Sequence, residues 1–119
     1  MKTKANKVVA DFFILMENLN REAGKPLEVI YVRVFDAVAR SAYGLGNVEI
    51  ERNLGASKAA VSRALSELSD WSSKKDARGF KLPGYGWIRS EADPRDGRLK
   101  TWVLTEAGTK VWQKSSEGL

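Results

Sequence analysis

Residues 93–98, Asp-Pro-Arg-Asp-Gly-Arg, set four charges around a proline and a glycine, and the chain then turns abruptly apolar through Trp102, Val103 and Leu104. Pro94 and Gly97 favour a tight turn, which would hold Arg95 and Arg98 away from the domain. Guanidinium groups so placed can meet phosphate or a narrow minor groove. Lys100 follows on the same segment. A second group, Ser57, Lys58, Ala59, Ser62, Arg63 and Ser66, falls on one helical face. Small and polar side chains there allow close approach to base edges, while the cations suit phosphate. A surface helix without such a task is usually rich in Glu and Lys. Between the two groups lie Lys74, Lys75, Arg78 and Lys81. A basic segment alone is often just a solvated face, so position must decide.

Other chemistry is poorly supplied. The 119 residues include neither cysteine nor histidine, which excludes disulfides, thiolate metal sites and the usual general base. No glycine-rich phosphate loop and no paired carboxylates occur. The expectation is therefore a non-enzyme with no cofactor and no metal ligand. Net charge is +5, and residues 58–100 hold ten basic and six acidic groups against eight and seven in residues 1–57. The excess overlaps the candidate binding residues. Lysines from Lys2 onward precede an apolar stretch as in a signal peptide, but Asp11 and Glu17 interrupt it. No run nears the roughly 20 apolar residues that span a bilayer. The expected location is the cytoplasm, with no membrane partner.

The elements that must position these groups form one domain, residues 1–119. In residues 5–22, Val8, Phe12, Leu15 and Leu19 make one apolar stripe, and Val9, Phe13 and Met16 a second. A helix so broadly apolar is buried on two sides, within the domain or against another subunit. The next helix is expected from Leu27 to Tyr43, with Tyr31, Val34, Phe35, Val38 and Ala42 inward, stopped by Gly44 and Gly46. Across 47–71, Asn47 caps a short helix, Gly55 turns, and Ser57 caps a longer helix reaching Trp71 with Val61, Leu65 and Leu68 inward. That is a helix-turn-helix pattern.

Residues 72–84 read as an irregular basic insert. Residues 85–105 read as a β-hairpin; with its turn centred on Arg95 and Asp96, Glu91 faces Lys100, Arg89 faces Trp102, and Ile88 and Val103 share the inner face. Asp96 can orient Arg98 or bond the turn backbone. Thr105 caps a last helix, 106–115. Trp71, Trp87, Trp102 and Trp112 all read as packing residues. The fold class is mainly α with a small β-hairpin, α+β.

The segments "VEIERNLGASKAAVSRALSELSDW" and "GWIRSEADPRDGRLKTWVLTEAG", in this order, resemble the MarR-type winged helix-turn-helix transcription regulators over residues 27 to 113. Asp93, Asp96 and Arg98, followed by Leu104, Thr105 and Gly108, are the most specific part. The resemblance implies a homodimer on double-stranded DNA, with recognition helices in major grooves and wings on flanking minor grooves. It places Ser57, Lys58, Ala59, Ser62 and Arg63 on the recognition helix and Arg95 and Arg98 on the wing. It also implies a small aromatic effector, although no residue identifies a pocket.

Three departures stand out. Glu51 replaces a usually small residue, the basic insert lengthens a normally short link, and the long C-terminal dimerisation helices are missing. Dimerisation then falls to residues 5–22. The alternative is a winged helix used as a protein-binding module that modulates a partner or host machinery.

Overall fold

The first helix, α1, spans Lys4–Ala23 in the computed structural model, which describes residues 4–119; Lys2 lies outside them. Leu15 and Leu19 are buried, and Phe12 and Met16 pack on the same core. Val8, Val9, Phe13 and Ile14 are exposed, so much of the second stripe has no cover among the described residues. The second helix, α2 (Val29–Arg40), buries Tyr31, Val32, Val34, Phe35 and Val38. It ends before the expected Tyr43, leaving Ala42 and Tyr43 exposed. The Ser41 hydroxyl donates to the Gly44 carbonyl at 2.7 Å, and Leu45 exchanges two backbone hydrogen bonds with Trp102. A helix continued through Tyr43 could not make that bridge.

Helix α3 (Asn47–Leu54) and helix α4 (Lys58–Leu68) follow. Gly46, not Asn47, caps α3: the Glu49 carboxylate accepts from the Gly46 N–H at 3.2 Å. The Asn47 side chain instead accepts from the Trp102 indole N–H at 2.8 Å. Ser57 caps α4 as expected, accepting from the Ala60 N–H at 3.1 Å. Val61, Ala64, Leu65 and Leu68 fill the core beneath it.

Helix α4 stops at Leu68 because the chain returns to take its last carbonyls. The N–H groups of Tyr85, Trp87, Gly86 and Gly84 donate to the carbonyls of Glu67, Leu68, Ser69 and Asp70 at 2.8–3.0 Å. These acceptors would otherwise be orphaned at a helix end.

The basic insert, residues 72–84, is not irregular. Strands β1 (Trp71–Lys75) and β2 (Lys81–Pro83) form an antiparallel hairpin, with Trp71 opposite Pro83 and Lys75 opposite Lys81. Ser and Lys are weak strand formers, so the pattern concealed it. Local anchors supply what propensity lacks. The buried Ser72 hydroxyl donates to the buried Glu67 carboxylate, and the Asp76 carboxylate accepts from the N–H groups of Arg78 and Phe80 at 2.9 and 3.0 Å.

Strands β3 (Ile88–Asp93) and β4 (Asp96–Leu104) form the second hairpin, and helix α5 (Glu106–Ser116) closes the chain. The register is one step from that expected. Glu91 faces Thr101, Ala92 faces Lys100, Arg89 faces Val103 and Ile88 faces Leu104. The Asp93 carboxylate accepts from the Arg95 N–H at 2.8 Å, drawing the turn back onto Pro94 and Arg95; Asp93 faces Asp96 and the ladder is irregular beyond it.

An aromatic row, Tyr85, Trp87, Phe35 and Trp112, runs through the core with successive centroids 4.9, 5.3 and 6.2 Å apart. Trp71 does not join it and is 59% exposed, which corrects its reading as a packing residue. The fold is α+β, and no helix among the described residues is long and apolar enough to cross a membrane.

Close backbone approach fixes two glycines. A Cβ at Gly84 would lie 2.0 Å from the Ser69 carbonyl oxygen, and one at Gly108 would lie 1.9 Å from that of Trp87. Gly84→Ala or Gly108→Ala should cost about 1–3 kcal/mol in denaturant unfolding, as other overpacked sites do. Gly97→Ala, with nothing within 4 Å, should stay within about 0.5 kcal/mol. Equal stability of all three would contradict this packing.

Candidate nucleic-acid interface

Helix α4 presents Ser57, Lys58, Ala59, Ser62 and Arg63 to solvent while its other side fills the core. Ser66, expected on the same face, is half-buried and its hydroxyl lies 3.4 Å from the Trp71 carbonyl. Ser62 and Ser66 line a groove with Asn47 of α3 and Trp102 of β4. The Trp102–Asn47 hydrogen bond closes the floor between α3 and the second hairpin. The exposed side of α4 and the base of β3–β4 thus belong to one continuous surface.

Arg63 is not a free cation. Its guanidinium lies 3.2 Å from the Glu28 carboxylate at the start of α2, and both side chains are about half exposed. The Tyr31 hydroxyl, then the Glu28 charge, hold it in the charged form. An exposed pair of this kind contributes little, so a phosphate could take over the guanidinium at small cost. Lys58 has no ion-pair partner among the described residues.

The tip of β3–β4 repeats one device. Asp93 accepts from the Arg95 backbone N–H and from its guanidinium at 3.1 and 3.0 Å. Asp96 does the same for Arg98, with both guanidinium contacts at 3.1 Å. The sequence signal is a tandem Asp-x-Arg, legible once the turn is known. Asp93 is buried, whereas Arg98 is 90% exposed. The Arg95 guanidinium also lies 5.6 Å from the Tyr43 ring centroid, a contact sequence reasoning missed. Each fork fixes a planar donor set in position, and each also offsets the arginine's charge with a carboxylate. Lys100 is exposed beside the Gly46–Glu49 turn, in a groove that includes Asp93 and Thr101.

The β1–β2 hairpin carries the third basic group. Lys74, Lys75, Arg78 and Lys81 are exposed, and none is in an ion pair among the described residues. The hairpin's one carboxylate, Asp76, is held by the turn backbone. The structure therefore brings Ser62 of α4 beside the second hairpin, and leaves the least compensated charge on the segment read as a loop. The chain matches no protein-family model and no curated protein.

The forks have a pH signature. The hydrogen bonds from the Arg95 side chain, then its backbone N–H, hold the Asp93 carboxyl below the ordinary 3.8, and Arg98 does so for Asp96. A carboxylate depressed on folding stabilises fully above its unfolded value and loses that contribution as pH falls through the folded one. Tip order should thus persist at neutral pH and disappear only below pH 3.8. Carboxyl-carbon NMR titration should place both midpoints below the ordinary value, with Arg95→Ala returning Asp93 toward it. Unshifted midpoints would mean that the forks do not form in solution.

Proposed function

We propose that this chain is a MarR-like winged helix-turn-helix domain that regulates transcription by binding double-stranded DNA. In this reading α3, the Gly55 turn and α4 are the helix-turn-helix, and β3–β4 is the wing. Leu45 contributes a third, one-residue strand on the outer side of β4, through its bridge to Trp102. The supporting observation is the shared surface: a Ser57-capped helix with a small, basic face adjoins a hairpin whose tip arginines are held in planar forks.

Phosphate contacts from Lys58, Arg98, Lys100 and the insert lysines supply non-specific attraction. Ser57, Ala59, Ser62 and Arg63 read base edges in the major groove. The wing tip, with Arg95 behind Arg98, meets the flanking minor groove. A second copy completes the unit through α1, whose Val8, Val9, Phe13 and Ile14 are exposed.

That same apolar face favours one other reading, a protein-binding module, which requires no DNA. Salt-dependent duplex binding separates the two. On a duplex selected from a random pool, Ser62→Ala and Arg63→Ala should each cost about 1–3 kcal/mol and relax sequence choice. Arg98→Ala should weaken binding without changing the unfolding midpoint, because an exposed charge contributes little to folding. Unchanged affinity in all three variants would remove α4 and the wing as the contact surface. Absence of any duplex binding would leave the protein-binding reading.

Assembly is tested separately. Light scattering should show a dimer that Phe13→Glu with Val9→Glu converts to a folded monomer, since both positions are exposed within one chain. A wild-type monomer at high concentration would exclude dimerisation through α1.

A further inference from the structure

The hairpin β1–β2 carries an aromatic surface as well as charge. Trp71 is 59% and Phe80 65% exposed, and together with Lys81 they line one shallow depression. Lys75 and Lys81 are directly opposed across the two strands. Like charges so placed destabilise a ladder, and exposed rings lower solubility, so folding alone favours neither. The platform is firmly mounted nonetheless. The Glu67–Ser72 hydrogen bond joins β1 to α4, and the Gly84–Asp70 backbone bond closes the hairpin's base.

We propose that β1–β2 is a binding platform for single-stranded DNA, with Trp71 and Phe80 stacking on unpaired bases and Lys74, Lys75, Arg78 and Lys81 following the phosphates. The partner's chemistry comes from the DNA-binding reading above, which this inference deepens. Unpaired bases are the choice because an aromatic ring needs a free base face, and in a duplex neighbouring bases cover those faces. A strand bearing one negative charge per nucleotide also complements four cations that have no partner among the described residues. The hairpin leaves the C-terminal end of α4, so a strand opened beside a bound duplex would lie within its reach.

The test uses the full chain, an oligothymidylate and a mixed-sequence duplex, with affinity read by anisotropy and stacking by quenching of tryptophan fluorescence. Wild type should bind the oligothymidylate with quenching. Trp71→Ala and Phe80→Ala should each weaken that binding about tenfold, the loss of one stacked base. Duplex affinity should stay unchanged in both, and Trp71→Phe should restore affinity but not the full quench. Lys75→Gln with Lys81→Gln should weaken both ligands and flatten their salt dependence.

Duplex binding without oligothymidylate binding would overturn the platform and leave the duplex reading intact. So would oligothymidylate binding that ignores Trp71 and Phe80. Oligothymidylate binding without duplex binding would support the platform and remove the duplex reading. Binding to neither would overturn both.

Discussion

The four backbone hydrogen bonds between residues 67–70 and 84–87 fix what lies on either side of them. They satisfy carbonyls that a helix end leaves unpaired, so α4 can stop at Leu68 beneath the core. They also aim Trp87 and Ile88 inward, and from there β3 starts in register. Gly84 and Gly108 follow as consequences, because each sits where one backbone presses on another. The thirteen residues between Trp71 and Pro83 are pinched off by the same bonds and project as a separate hairpin. One tie thus sets the position of α4, of β3–β4 and of β1–β2.

Charge is distributed by a different logic from that of the net count. Every arginine at the β3–β4 tip has its own carboxylate two residues earlier, and Arg63 has Glu28. These groups are ordered but largely neutralised in place, which suits geometric recognition better than long-range attraction. Among the described residues the densest group of cations outside any ion pair is on β1–β2, where two lysines even oppose each other, and Lys58 and Lys100 add to it from α4 and β4. In the DNA-binding reading proposed above, attraction and alignment would fall to different hairpins. The first would draw a polyanion close, and the second, with α4, would present donors of fixed orientation.

Much of the helical frame was legible because apolar spacing reports burial directly. Val61, Leu65 and Leu68 fall inward at helical intervals, and Ser57 caps α4 by its own side chain. Local rules failed where distant backbone decided. Nothing near Tyr43 announces that Leu45 must pair with Trp102, so the apolar spacing overruns the end of α2. The hairpin 71–83 is hidden because Ser and Lys carry little strand preference, and two of its anchors, Glu67 and Gly84, lie outside it. The register of β3–β4 differs by one because the ladder shifts between Ala92 and Asp93, where β4 takes up extra residues, and no local pattern announces that irregularity. Of the candidate site, the basic and small residues were readable as types. Their mutual compensation, and the solvent-facing rings of Trp71 and Phe80, depended on the folded chain.

The claim that one continuous surface of α4 and β3–β4 meets duplex DNA is tested most directly by amide chemical-shift mapping during addition of a duplex. Perturbations should cluster on residues 57–63 and 95–100 and fade with rising salt, while α1 stays silent. Shifts confined to α1, or none at any salt concentration, would contradict it.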